Sequence, residues 1–158
     1  MKNFFTALLA TWFLANAVAC AAEVPRFWNG DKSCPLIWED SATAWYLDKN
    51  SIKVKVNDPS FFIITAQIIT TSGIETHDFF YDEDEPDMRI FDKTIADWRY
   101  LNPCDATAKE LPFIYMGEAV FYVANGRKLY GNYLWKTNID GKIQYTDKFK
   151  DEMYQNWR

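Results

Sequence analysis

Residues 44–70 contain the pattern that most constrains the fold, because two strand-like runs are joined there by a short polar turn. In the first run, apolar residues alternate with polar ones, which is the period of a strand buried on one face. Asn57-Asp58-Pro59-Ser60 favours a turn. The second run is apolar at almost every position, as in a central strand. The pattern predicts a β-hairpin with Ile64 in the core and with Lys53 and Lys55 in water. The alternating apolar residues of the first run are Ile52, Val54 and Val56.

The N-terminal residues 1–22 differ in composition from the rest of the chain. Lys2 is their only charged side chain, and an apolar run follows that ends in small residues. This pattern predicts a signal peptide, so residues 23–158 would form a single exported α+β domain in the periplasm, on the outer surface or in the medium. The alternative is a retained membrane anchor, but the run is shorter than the roughly 20 residues that span a bilayer.

Cys20 raises a second question about the leader. Ala17-Val18-Ala19-Cys20 resembles a lipobox, in which cleavage before the cysteine precedes lipidation. Ala17 stands where a bulky aliphatic residue is usual, so ordinary cleavage after Ala19 or Ala21 is the favoured interpretation. A lipid on Cys20 would be the chain's only contact with a membrane.

Two cysteines remain after processing, Cys34 and Cys104. An oxidising compartment would allow them to form a disulfide, and closing a loop of about 70 residues would stabilise the fold by about 4 kcal/mol. The alternative is a pair of buried thiols. Two distant cysteines and one histidine do not form a zinc ligand set, so we expect no metal and no cofactor.

The other elements follow from shorter patterns. Glu23–Asp40 is broken by prolines and predicts an irregular segment, and Asp48-Lys49-Asn50 predicts a turn before the hairpin. Pro112 is expected to end a short helical turn. Residues 115–124 fit a helix or a hairpin arm, because Asn125-Gly126 suits both, and the helix is favoured. Further strands are expected around residues 43–47, 77–81, 88–91, 95–101, 129–135 and 143–145.

At the C-terminus, Phe149, Met153 and Trp157 fall four residues apart, which predicts a helix capped by Thr146. The expected fold class is therefore α+β, with a mainly antiparallel sheet of about five strands. Its helices are expected near residues 116–124 and 147–157.

The most charged stretch is 75–97, which has nine acidic residues against Arg89 and Lys93. This local negative field would repel nucleic acid, and no nucleic-acid partner is expected. Clustered carboxylates can bind calcium, but the stretch lacks the glycine and the spaced glutamate of a calcium loop. A turn within it is the candidate site for a protein partner, through Asp82, Glu83, Asp84, Glu85 and Asp87.

Motifs for catalysis are absent from the sequence. His77 is the only histidine, and it lies beside Asp78 in a strand-like pattern, where histidines are usually structural. No phosphate loop or nucleophile elbow occurs, and no catalytic residue is assigned. Six tryptophans of the predicted domain exceed what a small core requires, and tryptophan is enriched in protein interfaces. Composition therefore favours a binding protein over an enzyme.

Short motifs suggest a family. Trp45-Tyr46-Leu47-Asp48, with Ser51-Ile52 and the lysine-valine strand after it, resembles the opening of surface-adhesin protein E-like domains, which are small exported bacterial proteins. Phe80-Tyr81-Asp82 and Met88-Arg89-Ile90 continue the likeness, which covers about 50 residues. The resemblance implies a compact antiparallel sheet with flanking helices, and the named member binds host matrix and serum proteins. Glu83 stands where a cysteine often occurs, so the family's disulfide and binding residues are not carried over.

These observations lead to one main hypothesis and two alternatives. The main hypothesis is an exported cell-envelope or secreted protein that binds other proteins, as a surface adhesin does. The first alternative is an envelope enzyme that acts on polysaccharide through carboxylates. The second is a structural subunit of an envelope assembly.

Overall fold

The computed structural model describes residues 23–84, 87–93, 96–101, 109–131, 135–139, 142–146 and 149–158. The predicted leader, with Cys20, lies outside the described residues. Cys104 and Glu85 lie outside them too.

Six antiparallel strands form one sheet in simple sequence order, so each strand pairs with the next along the chain. Short turns can link antiparallel neighbours of this kind. The strands are β1 (Leu36–Glu39), β2 (Ala44–Asn57), β3 (Phe61–Thr70), β4 (Gly73–Asp82), β5 (Asp87–Asp92) and β6 (Asp97–Tyr100).

The remaining elements follow the sheet in the chain. Helix α1 (Leu111–Asn125) comes first, then a separate two-stranded hairpin of β7 (Trp135–Ile139) and β8 (Lys142–Thr146), and finally α2 (Asp151–Trp157). A 3-10 turn, Trp28–Gly30, precedes β1. The α+β prediction is therefore confirmed at the level of fold class.

The predicted hairpin is confirmed by β2 and β3. β3 pairs with a strand on each side, and Ile64 is fully buried while Lys53 and Lys55 are exposed. Val54 is an exception, because half of it is exposed although its pattern predicted burial. Val54 pairs with Ile64, and the register shifts between Val54 and Val56, so Val56 pairs with Ile63 and the two valines do not share one face as the pattern predicted.

The sheet has six strands, and the prediction of about five was wrong because β1 was missed. Pro35 precedes β1 directly, a position where a strand tolerates proline, so the prolines of this segment did not prevent pairing. The predicted turn at 48–50 is also wrong. Asp48 Oδ1 accepts a bond from the Asn50 N–H, and the chain bulges there inside one continuous β2.

Helix α1 confirms the helical interpretation of residues 115–124 and begins earlier than expected. Pro112 does not end a helix but lies in the first turn of α1, where no backbone N–H is required. Gly126 ends the helix with φ of 74°, a left-handed conformation that glycine adopts readily.

The C-terminal helix is confirmed in place but is shorter than predicted. α2 begins at Asp151, and its N-cap is Lys150, so Thr146 does not cap it. Phe149 and Trp157 are buried, as their spacing predicted. The prediction of a strand over residues 129–135 is wrong for its first three residues, because Leu129 and the two residues after it are irregular. Strand β7 begins at Trp135.

The core lies between α1 and the inner face of the sheet, which we define as the face carrying Ile64, Ala66, Ile68, Phe79 and Ile90. The other face is called the outer face. Helix α2 packs against α1 and β1, and Trp157 Nε1 donates to the Leu36 carbonyl at 3.1 Å. Among the described residues, no helix combines the length and the hydropathy needed to cross a bilayer.

Candidate functional site

The outer face gathers aromatic side chains from four strands. Strand pairing places Ile63 beside Phe80, Phe80 beside Arg89 and Phe91 beside Trp98. Because side chains alternate along a strand, these residues share the face opposite α1. We call Phe61, Phe80, Phe91, Trp98 and Arg89 the outer aromatic cluster.

The members of the outer aromatic cluster contact one another. The ring centroids of Phe80 lie 5.8 Å from Phe61 and 5.7 Å from Trp98, and Phe91 lies 5.5 Å from Trp98 in an edge-to-face arrangement. The Arg89 guanidinium carbon lies 5.4 Å from the Phe80 centroid. Aromatic pairs at these distances contribute about 0.5–1.5 kcal/mol each beyond their buried area. These contacts restrain the side chains relative to one another, so the outer aromatic cluster presents one defined surface.

This cluster remains partly open to solvent. All four of its rings are only half-buried, and Tyr100, which pairs with Arg89 on the same face, is 46% exposed. The neighbouring half of the outer face is polar, because Lys55 Nζ contacts both carboxylate oxygens of Asp78 at 2.9 Å. A contiguous apolar surface bordered by polar groups is typical of an interaction site.

The acidic turn borders the same cluster. Asp82 pairs with Phe61 of β3 and with Asp87 of β5, so the turn that follows β4 leaves the sheet beside the aromatic rings. Asp84 is exposed, and its N–H donates to Asp82 Oδ1 at 2.9 Å. The structure therefore places Asp82, at the start of the acidic turn, beside Phe61 of the outer aromatic cluster.

One of these carboxylates is not a free solvent-exposed group. Glu83 forms an ion pair with Arg127, just beyond the end of α1, and its N–H donates to the Ser60 carbonyl at 2.7 Å. Arg127 also lies over the Phe62 ring at 4.8 Å. The turn is thus attached to the body of the domain. Of the other predicted residues, Glu85 lies outside the described residues, and only the backbone of Asp87 is described.

The predicted cysteine sites are only partly described. Cys34 is buried, with its Sγ 3.7 Å from Ser33 Oγ, and burial raises the pKa of its thiol. Cys104 and Cys20 lie outside the described residues, so the disulfide and the lipidation remain predictions.

His77 lies on the inner face and lines a cleft between β4, β5, β6 and the first turn of α1, which we call the inner cleft. Its Nε2 is 3.2 Å from Glu75 Oε2, and its ring centroid is 6.2 Å from that of Phe113. Burial lowers the pKa of His77 below its ordinary value, and Glu75 opposes this change. The sequence pattern gave no indication of this cleft, because its walls come from four separate elements.

Glu118 is a second residue that sequence reasoning missed. It is fully buried, and its two carboxylate oxygens accept four hydrogen bonds. Three come from the backbone N–H groups of Leu129, Tyr130 and Gly131, and one from the Tyr154 hydroxyl at 2.7 Å. Burial raises the pKa of Glu118, and these bonds oppose the rise. As the only charge in an otherwise apolar helix, it could have been recognised from the sequence.

Comparisons with protein-family models, with curated proteins and with solved structures found no match. Within the described part of the chain, no group of three or more histidine, cysteine or acidic side chains is arranged to hold a metal ion.

Proposed function

We propose that the protein is an exported cell-envelope or secreted binding domain that takes a basic protein partner on the outer aromatic cluster and the adjoining acidic turn, as a surface adhesin would. The observation that carries this proposal is the position of Asp82, which pairs with Phe61 and so joins the two features in one surface.

The chemistry of the surface favours a protein as the partner. Trp98 and three phenylalanine rings supply the aromatic centre that is enriched in the energetically important part of protein interfaces. The acidic turn supplies charge at the rim, where it raises association rates and selects partners of opposite sign. A partner surface with basic groups around an apolar centre is complementary to both the acidic turn and the aromatic rings.

The same surface explains features that folding does not require. Phe80 and Trp98 could be polar without loss of the core, because the buried side chains of β4 and β5 lie on the inner face. Aromatic rings on the solvent side of a sheet promote aggregation unless a partner covers them. A binding role gives them a function.

The test begins with capture of partners from envelope extract, serum and matrix proteins, followed by purification of each captured protein. Binding kinetics are then compared for the wild type, Trp98→Ala and a control, Ile74→Ser. Ile74 is apolar, 66% exposed and at the far end of β4. We expect Trp98→Ala to weaken binding at least ten-fold, the effect of an interface hot spot, and Ile74→Ser to leave it unchanged.

Two outcomes would overturn the proposal. The first is a partner whose affinity is equal for the wild type and Trp98→Ala. The second is selective retention of a polysaccharide in place of a protein, because aromatic platforms also stack on sugar rings. That result would favour the alternative in which the chain acts on or binds polysaccharide.

A further inference from the structure

A cleft runs along the outer edge of β1. Four consecutive residues of this strand line it, namely Leu36, Ile37, Trp38 and Glu39. A cleft over one face of a strand would be lined by alternate residues, so this one lies beside the strand. β1 is the first strand of the sheet, and among the described residues β2 is its only strand partner. We call this cleft the edge cleft.

Helix α2 forms the opposite wall of the edge cleft. Lys150, Met153 and Asn156 line it at intervals of three residues, so they share one side of the helix. Tyr115 of α1 closes the cleft below, with its ring centroid 4.9 Å from that of Trp38. The volume is about 360 Å³. An apolar groove beside a sheet edge suits an extended peptide that adds a strand to the sheet.

The backbone of Glu39 is available for such pairing. The Asp40 N–H donates to the Thr43 carbonyl at 2.9 Å, across the turn between β1 and β2. Because backbone groups alternate in direction along a strand, the N–H and the carbonyl of Glu39 face away from β2. Within the described part of the chain, neither group has a hydrogen-bond partner. Glu39 can therefore donate one bond to an added strand and accept one from it.

The start of β1 is already covered. The Leu36 N–H donates to the Arg26 carbonyl at 2.8 Å, and the Leu36 carbonyl accepts from Trp157 Nε1. An added strand must therefore begin beyond Leu36. Strands rise about 3.3 Å per residue, so the three remaining residues of β1 offer an edge of about 10 Å. The segment that fits is short.

The charges of the edge cleft indicate which segment it favours. Arg26 is engaged by Glu152 at 2.8 Å, whereas Lys150 forms no ion pair with a described residue. Lys150 is exposed on the α2 wall, and the Glu39 carboxylate is exposed on the β1 wall. An acidic side chain on the α2 side of the segment is complementary to Lys150.

We infer that the edge cleft binds a short extended segment of another protein, in which aliphatic and acidic side chains alternate. The segment pairs its backbone with Glu39. Its aliphatic side chains pack against Trp38 and Met153, and an acidic side chain lies near Lys150. The edge cleft shares no lining residue with the outer aromatic cluster, and β1 and β6 are opposite edges of the sheet. The inference is therefore independent of the function proposed above.

The probe is an acetylated and amidated pentapeptide in which valine alternates with aspartate, and heteronuclear NMR follows the amide signal of Glu39. We expect a saturable shift with a dissociation constant in the range of about 1 mM, as for a weak short ligand. The same peptide with asparagine in place of aspartate should bind about three-fold more weakly, the effect of an exposed ion pair. Unchanged signals at about 10 mM peptide, or equal binding of the asparagine peptide, overturn the inference.

Backbone pairing is tested with two N-methylated forms of the probe, one methylated at the valines and one at the aspartates. The N–H groups of an extended peptide alternate between its two edges, so only one form loses the bond to Glu39. We expect that form to bind about ten-fold more weakly and the other form to bind as the unmethylated peptide does. Equal binding of the two forms contradicts strand addition.

Glu39→Pro and Glu39→Ala are the matched protein variants. Both remove the carboxylate, but only proline removes the outward N–H, and an edge strand tolerates proline at such a position. We expect Glu39→Pro to bind the probe about three- to ten-fold more weakly than Glu39→Ala does. Equal binding by two variants with equal melting temperatures overturns the inference, and if Glu39→Pro does not fold, the methylated peptides decide. Trp98→Ala should bind the probe as the wild type does, which separates this site from the outer aromatic cluster.

Discussion

At the scale of single residues, Glu118 holds together three parts of the chain. It lies in α1, and its carboxylate receives bonds from the irregular segment after α1 and from Tyr154 of α2. Gly131 is required for this arrangement, because a Cβ there would lie 1.7 Å from the Tyr154 hydroxyl oxygen. A buried charge with this many donors is stable only while all its partners remain.

We predict that Glu118→Gln lowers the free energy of unfolding by about 1–3 kcal/mol, since the new amide NH₂ faces groups that donate, and an unsatisfied buried donor has a penalty of that size. Glu152→Gln is the control, because Glu152 forms an exposed ion pair with Arg26 and its change should stay within about 0.5 kcal/mol. Urea denaturation of both variants measures the difference. Equal stabilities would contradict the structural role of Glu118.

His77 gives the prediction for pH. Because burial lowers its pKa in the folded chain, the unfolded chain binds more protons between the folded value and the ordinary value of about 6.5. The free energy of unfolding should therefore increase with pH across that interval. The contribution of neutral His77 to stability should disappear as pH falls toward the folded pKa. NMR titration measures the pKa, and denaturation at several pH values measures the slope.

The variant His77→Gln should remove this part of the pH dependence and leave the contribution of the carboxyl groups. A measured pKa above 6.5 would show that Glu75, 3.2 Å away, outweighs burial.

At the scale of elements, β3 is the clearest case of a strand that the sequence predicted. Ile64 is fully buried, and Lys55 is exposed in an ion pair with Asp78. We predict that Ile64→Ala lowers the free energy of unfolding by about 2–5 kcal/mol and that Lys55→Ala changes it by about half a kcal/mol or less. Equal effects in urea denaturation would contradict the observed register.

Long periodic elements could be predicted from sequence, and short or interrupted ones could not. β3 is indicated by its long apolar run, and the helical interpretation was favoured for the middle of α1 although the same residues also fit a hairpin arm. β1 has only four residues and forms because β2 supplies its partner, which no local pattern reports. The bulge after Asp48 has the composition of a turn, and only the pairing with β3 shows that the strand continues.

The candidate site was predictable in the same limited sense. The acidic turn is visible as a charge cluster, but its contact with Arg127 depends on where α1 ends. The outer aromatic cluster needs the pairing of four strands before its rings can be placed on one surface. Pairing between distant strands is a property of the fold as a whole.

At the scale of the whole molecule, the predicted disulfide concerns the export of the chain. Cys34 is buried near the start of the domain. We predict that it is bonded to Cys104 in protein purified without reductant, and that Cys104→Ser then lowers the free energy of unfolding by about 2–5 kcal/mol. Mass spectrometry of the unreduced protein tests the bond. Two free thiols would show that the pairing is wrong.

The distribution of charge over the whole molecule leads to the last prediction. The chain has a net charge of −5, and residues 75–97 carry more than this by themselves, so the negative field is centred near the acidic turn. If the turn attracts a basic partner, the association rate should fall as salt rises, because ions at about 0.15 M screen charges beyond roughly 8 Å. The dissociation rate should change much less, since it depends on the aromatic contacts.

Replacing Glu83, Asp84 and Glu85 by serine should lower the association rate about ten-fold at low salt, and the difference should shrink at high salt. Loss of the ion pair between Glu83 and Arg127 should lower stability by at most about 1 kcal/mol, because both side chains are partly exposed. The matched control removes three exposed carboxylates far along the chain from the turn: Glu23, Asp151 and Glu152. Stopped-flow or surface-plasmon measurements with the captured partner decide the question. If the two triple variants associate at the same rate, net charge and not the turn controls association, and the acidic turn has no specific role in binding.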